Sequence, residues 1–450
     1  MYRSISSGFS NSCHTREVLV PVSTSKKMKR LFMKLILTIS LSLGLHGIFS
    51  FNNNARQKQT NIKNGLSKIS IGGRTHPASL ELEMNMKSQH RKWFERYIPI
   101  LYDLVVVDGT YYAIFNVDGN VGRANEKKYL DYSEHHEWWC DNKPGRFVDG
   151  DSLFHTLIIQ CESVTKEIKS IPKPQSISQR KAVYNVEANL KAIHTNPIVF
   201  PLNIEHASCT AIKGEESLHL LPQWIEYHRM IGVEHFFVYI NDPFNNVDLE
   251  YNQPYITYIP FDYRHYPEER QFYFQATWQN DCIYRGKNAS VSWIGIHDID
   301  EYWFIKKDPY DLKSLTTYYS PNVTSGIPIF NVWYGPHPNE PETHFMHKRE
   351  GNLLLDYVWR SPDYRGPRKN IVSPQLVNYL YVHWITGEKE GSQFGPQATW
   401  KIVMNHYRRP YNRVNSFEME SSWNELVMDT SMRDTYKGGV LNAIYGNAIK

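Results

Sequence analysis

The sequence predicts an α/β domain on a mainly parallel sheet, preceded by a small β-rich module, a polar stem and an apolar anchor. Three observations carry this expectation. Strand-like and helix-like runs alternate from about residue 201 onward. Shorter runs with hairpin signals fill residues 93–200. One apolar run, residues 31–51, is about the length of a bilayer span.

The chain has 450 residues, enough for two domains plus appendages, and its 41% hydrophobic and 14% aromatic content suits sizeable cores. A formal net charge of +4 and the lack of a dense Lys/Arg face argue against nucleic acid as a partner. The 30 Tyr and 12 Trp are compatible with sugar-stacking surfaces, although packing accounts for most residues of these types.

Residues 1–30 read as a cytosolic tail, because Lys26, Lys27, Lys29 and Arg30 flank the N-terminal side of the apolar run. Residues 31–51 then form a single-pass type II signal-anchor. A cleaved signal peptide is disfavoured by the long leader and the lack of a small-x-small cleavage site. Residues 52–92 are polar and read as a stem. Two further features agree with a body across the membrane. Asn288-Ala289-Ser290 and Asn322-Val323-Thr324 are glycosylation acceptors at Asn288 and Asn322. With Cys13 in the tail, Cys140, Cys161, Cys209 and Cys282 remain as an even set suited to an oxidising compartment. Four cysteines admit three connectivities; nearest-neighbour pairing, Cys140 with Cys161 and Cys209 with Cys282, is the expectation.

Within the β-rich accessory module, 93–200, residues 104–115 read as two strands around an Asp108-Gly109 turn. Runs at 153–159 and 182–186 add further strands. The main domain spans 201–450 and ends in a helical extension. Its elements are a strand at 209–213, a helix at 215–230 stopped by Gly232, strands at 234–240 and 254–261, and a helix at 268–285. No G-x-G-x-x-G follows the first strand and no Walker loop occurs, so the usual dinucleotide and ATP sites have no support.

The next strand carries the chemistry. Val291 to Ile296 is a buried-strand pattern that ends in His297-Asp298-Ile299-Asp300-Glu301. In extended backbone positions i and i+2 point the same way, so Asp298 and Asp300 can converge on one hard cation. Glu301 then points away and braces the site. An Asp-x-Asp arises by chance about once in a chain this long, and Asp149-Gly150-Asp151, which follows only a two-residue apolar stub, reads as a turn.

The order of these pieces resembles the GT-A class of glycosyltransferases and, within it, glycosyltransferase family 92. The resemblance rests on Ala211 to Glu215 with Leu221 to His228 and Ile231 to Tyr239; on Gln275 to Cys282 with Arg285; on Trp293 with Asp298 to Glu301; and on Lys369 to Pro374, Val382-His383 and Asn405 to Arg408. It implies a Rossmann-like mixed sheet that binds a nucleotide-diphospho-sugar. It also implies a metal-dependent hexosyl transfer, with UDP-galactose as donor, inversion at the anomeric carbon and a β-linked product on a glycoprotein or glycolipid glycan. The expected cofactor is manganese or magnesium on Asp298 and Asp300, with His406 as first choice and His383 as second for a further ligand. Lys213, Glu215, Asn241, Asp242, Arg285 and Lys369 are the candidates for holding the donor. Glu340 or Glu342 is the candidate base. The resemblance and the anchor together place the enzyme in the Golgi or another secretory-pathway membrane, with its catalytic domain lumenal. Homodimerisation is left open. The competing reading is a catalytically inactive lumenal glycan-binding protein on the same scaffold.

Overall fold

The computed structural model describes residues 99–116, 136–151, 156–174, 181–187, 204–212, 214–240, 251, 253–261, 275–306, 310–335, 353–363, 368–396, 398–407, 426–436 and 439. The anchor expected at 31–51 and the stem lie outside them. Among the described residues no helix is long and apolar enough to cross a membrane.

Seven strands form an antiparallel sheet: β1 (Ile100–Val107), β2 (Thr110–Asn116), β3 (His136–Cys140), β4 (Lys143–Asp151), β5 (Thr156–Cys161), β6 (Glu167–Pro172) and β7 (Ala182–Asn185). Their spatial order is β1-β2-β5-β4-β3-β6-β7. Asp108 and Gly109 take φ of 48° and 75°. Positive φ at both central residues is the two-residue turn whose twist matches the flanking strands. The stretch Asp149-Gly150-Asp151, expected as a turn, instead ends β4 after a register shift between Phe147 and Asp149. Gly150 allows this, because a Cβ there would lie 2.7 Å from Leu157 Cδ2. Cys140 and Cys161 form a disulfide, Cα to Cα 5.9 Å, across β4.

The main domain follows as β8 (His206–Ile212), α1 (Gly214–Met230), β9 (His235–Ile240), β10 (Ile256–Pro260), α2 (Gln275–Asn288), β11 (Trp293–Ile296), β12 (Glu301–Ile305), α3 (Leu312–Thr316), β13 (Thr324–Ile329) and β14 (Asn331–Gly335). It continues with the short α4 (Leu353–Asp356), β15 (Trp359–Arg360), β16 (Lys369–Val372), β17 (Val377–Tyr381), β18 (Trp384–Glu388), β19 (Gln393–Phe394), β20 (Ile402–Tyr407) and β21 (Val427–Met428).

The main sheet has the order β10-β9-β8-β11-β16-β13-β19. Strands β10, β9, β8 and β11 are parallel, whereas β16 runs antiparallel to both β11 and β13. From β8 the chain winds outward through α1 to β9 and β10, then returns through α2 to β11 on the other side of β8. That reversal opens a crevice at the carboxyl ends of β8 and β11, where open α/β sheets take their ligands. A second sheet, β12-β20-β14-β15-β21, carries the strand that follows β11.

All six residues of β9 are buried, as a two-faced parallel strand requires. Phe236, Val238 and Ile240 share a core with Trp224 and Ile225 of α1. Phe237 and Tyr239, on the opposite face, share one with Trp278, Cys282 and Ile283 of α2. That second core also takes in Val105, Val107, Ile114 and Ile158 from the β-rich strands. The β-rich sheet is therefore packed onto α2, and both sheets belong to one compact unit. The Cys209–Cys282 disulfide, Cα to Cα 6.6 Å, ties β8 to α2.

Candidate active site

Strand β11 stops at Ile296, and residues 298–301 form a turn into β12 rather than an extension of the strand. The Glu301 backbone N–H donates to the Asp298 carbonyl at 3.0 Å. In return the Glu301 carboxylate accepts the Asp298 backbone N–H at 2.8 Å. The extended geometry expected for Asp298 to Asp300 is thus corrected: a reciprocally bonded turn places these side chains, and it swings Glu301 into the site instead of away from it. Glu301 nevertheless braces the turn, through the backbone of Asp298.

Beneath the turn lies an aromatic bed. His297 is fully buried. Its Nδ1 lies 3.0 Å from the Glu301 carbonyl and its Nε2 2.9 Å from Ser208 Oγ. The carbonyl only accepts, so Nδ1 carries the proton and Nε2 accepts from the serine hydroxyl. Burial drives the His297 pKa well below its ordinary value, with His228 contributing, so the ring stays neutral. Trp224 Nε1 donates to the same Glu301 carbonyl at 3.0 Å. Trp303 packs against His297 in a tilted arrangement, 4.3 Å between centroids and 35° between planes. These contacts hold the carboxylate-bearing turn from below.

Above the bed, three carboxylates meet two basic groups. Lys369, at the start of β16 and 1% exposed, places Nζ 2.9 Å from Asp298 Oδ2 and 3.3 Å from Glu301 Oε2. The other Asp298 oxygen accepts from Gln275 Nε2 at 3.0 Å. His406, opposite Glu301 on β20, lies 3.5 Å from both Asp300 Oδ2 and Glu301 Oε1. Burial opposes charge on Lys369, but Asp298 and Glu301 outweigh it and raise its pKa. Burial likewise opposes charge on His406, and Asp300 and Glu301 reverse that, so its pKa is raised. His383 lies at the rim, in the β17–β18 turn, where burial and then the Lys369 charge push its pKa down to about 3. Asp298, 39% exposed, is the carboxylate that solvent reaches most easily.

The structure therefore brings Asp298, Asp300, Lys369 and His406 together, with His383 beside them. It adds Gln275, which the sequence does not assign to the site, and it turns Glu301, expected as an outward-pointing brace, inward. The signal for Gln275 was its place on the apolar face of a helix, where an amide needs a partner. Arg285 is placed elsewhere. Its guanidinium pairs with Asp281 at 2.6 Å and with Asp103 of β1. Ten residues along α2 from Gln275, it sits about 15 Å from the end that meets Asp298. Lys213, Asn241, Asp242, Glu340 and Glu342 lie outside the described residues, as does the side chain of Glu215.

Asp298, Asp300 and His406 supply the oxygen and nitrogen donors that a hard divalent cation accepts. Their placement does not group them for one: among the described residues no three carboxylate, imidazole or thiol groups converge as a metal site. Asp298 and Glu301 face the Lys369 ammonium instead. Three carboxylates still outnumber the two basic groups, Lys369 and His406, so the site favours further positive charge.

The family model Glycosyltransferase family 92 matches residues 205–437, from the start of β8 to beyond β21. The chain belongs to glycosyltransferase family 92. No curated protein matches it. Within this glycosyltransferase the match takes in the carboxylate turn, Gln275, Lys369 and His406, while strands β1 to β7 precede it.

Proposed function

We propose that this family 92 enzyme transfers a hexose, galactose from UDP-galactose, onto a glycan of a glycoprotein or glycolipid, with inversion and a β-linked product. The observation that supports the reading best is the charged turn at the carboxyl end of β11, at the switch point of the sheet, where a diphosphate would meet Lys369 and the carboxylates. In the transfer, an acceptor hydroxyl forms a bond to the anomeric carbon as the bond from that carbon to the diphosphate oxygen breaks. The hydroxyl proton passes to a carboxylate base, for which Glu340 or Glu342 is proposed. UDP leaves with the electrons of the broken bond. Lys369, held in its charged state, stands at the start of β16 where it can offset charge growing on the leaving diphosphate. Lys213, Glu215, Asn241 and Asp242 follow β8 and β9 in sequence and are proposed to hold the nucleoside.

Manganese, or magnesium, is the proposed cofactor. Asp298, Asp300 and His406 would hold it, and Asp298 would have to leave Lys369 to do so. A bound divalent cation would supply Lewis acidity toward the departing diphosphate. The enzyme is proposed to sit as a single-pass type II protein in a Golgi or other secretory-pathway membrane. Exposed Asn288 and Asn322 and the two disulfides are compatible with a lumenal body.

The test is thermal unfolding of the full chain in detergent, with UDP-galactose and other UDP and GDP sugars, each with manganese or a chelator. A donor at about a hundredfold excess over its dissociation constant stabilises the fold by about 2.7 kcal/mol. A metal-dependent shift with one UDP-sugar supports the reading. No shift with any donor points to the inactive glycan-binding scaffold.

A further inference from the structure

Beside the charged turn, on the antiparallel flank of the main sheet, lies an aromatic surface that the donor chemistry does not use. Trp384 opens β18 and is 44% exposed. The Arg368 guanidinium lies over its ring, 4.0 Å from the centroid, and also faces Phe394 of β19 at 4.7 Å. A cation over one face leaves the other face of the indole to account for its exposure. The ring is thus pinned from behind and open in front.

Its position ties this surface to the reaction. Arg368 immediately precedes Lys369, and Trp384 immediately follows His383. The turn between β17 and β18 is bonded to the catalytic strand, because Asn370 Nδ2 donates to the His383 carbonyl at 2.9 Å. Val382, at the tip, has φ of 32°, a conformation that a β-branched residue adopts only where its surroundings impose it. Gly326 lets the hairpin approach the sheet, since a Cβ there would lie 2.4 Å from Ile385 Cδ1. The hairpin is therefore held in one place, and with it Trp384.

The parallel half of the sheet, with β8 and β9, is the side proposed for the nucleoside. Trp384 stands across the carboxylates from it, on the side of β16, β13 and β19. A hexopyranose presents an apolar face of C–H groups and a rim of hydroxyls. A fixed, half-exposed indole beside a guanidinium matches both, whereas a protein partner of this size would need a far larger apolar area.

We infer that Trp384, backed by Arg368, is the platform on which a sugar ring of the acceptor glycan stacks for transfer. The inference rests on the proposed transfer to a glycan and concerns the acceptor alone. A comparison lies in the same molecule. Trp400 is 49% exposed and packs edge-on to Tyr318. It lies in the turn before β20, whose first residue, Ile402, is about 13 Å along the strand from His406.

The experiment incubates the full chain, with UDP and manganese, on an array of immobilised oligosaccharides ending in galactose, glucose, N-acetylglucosamine, fucose or mannose. In parallel, thermal shifts are recorded with UDP-galactose. Trp384→Ala is expected to weaken glycan binding about thirtyfold, the effect of truncating a central Trp contact. Trp384→Phe should restore most of that loss, Trp400→Ala should bind as the wild type does, and the donor-induced shift should persist in all three variants. Unchanged glycan binding by Trp384→Ala, or a donor-stabilised wild type that retains no glycan on the array, overturns the inference. If no nucleotide sugar shifts the wild type, the donor reading fails by itself, and the array result alone then judges the platform.

Discussion

Lys369 Nζ lies 2.9 Å from Asp298 Oδ2, so the first carboxylate of the Asp-x-Asp turn is neutralised by a lysine from the neighbouring antiparallel strand. The same ammonium reaches Glu301, and both Lys369 and Glu301 are 1% exposed. The buried Lys369–Glu301 contact gives the lysine a structural role, and at the half-open Asp298 it faces the side proposed for the donor.

Removing the ammonium should cost stability as well as activity. Lys369→Met leaves the buried Glu301 carboxylate facing only His406, at 3.5 Å, and the Asp298 N–H, and breaking a buried pair costs about 3–5 kcal/mol. Urea unfolding of the variant should show that loss, and a change under 1 kcal/mol would remove Lys369 from its structural role.

Gly295 marks how tightly the turn is supported. A Cβ there would lie 1.5 Å from Trp303 Cη2, inside a ring that packs against His297. Gly295→Ala should destabilise the fold by about 1–3 kcal/mol or more through overpacking. The displaced indole would push His297 and hence the Asp298 turn, so donor-induced stabilisation should fall with it. A variant with wild-type stability and donor response would show that the bed tolerates movement.

The two disulfides should differ modestly in weight. Their separations of 21 and 73 residues correspond to chain-entropy contributions of about 3 and about 4 kcal/mol. Paired Cys-to-Ala replacements, compared by urea unfolding, should rank the Cys209–Cys282 bridge as the costlier loss. The reverse order would mean that packing around β3 and β5 matters more than loop closure.

Lys287 of α2 predicts a pH dependence. Burial, with Lys389 nearby, lowers its pKa to about 7, and its ammonium lies over the Tyr284 ring at 4.4 Å. A base whose folded pKa is depressed costs the fold stability below that pKa. The cost shrinks as pH rises from about 7 toward the unfolded value near 10.5. Lys287→Met should raise the melting temperature at pH 7 and flatten the rise of stability between pH 7 and 10. Parallel pH profiles for the variant and the wild type would contradict this.

Much of the fold was legible because its signals are local. The helix stopped by Gly232, whose φ is 101°, and the Asp108-Gly109 hairpin follow from the residue types themselves. The buried β9 follows from an uninterrupted apolar run. Other features depend on contacts distant in sequence. That Glu301 turns inward depends on Lys369, which enters from a strand 68 positions later. Arg285 looked like a candidate for the donor because it lies in a family-like stretch. Its partner Asp103 belongs to the β-rich strands, which no periodicity in α2 could reveal. The Asp-x-Asp pair was found for its chemistry, but its backbone is a turn, since Ile299 packs inward while the flanking carboxylates stay partly open.

The most direct test of the account titrates UDP-galactose, with manganese, into the full chain and into Asp298→Ala by calorimetry. Measurable binding to the wild type is expected, with a dissociation constant at least tenfold larger, about 1.4 kcal/mol, for the variant. Equal affinity in the two proteins would contradict it and place the donor away from the turn that ends β11.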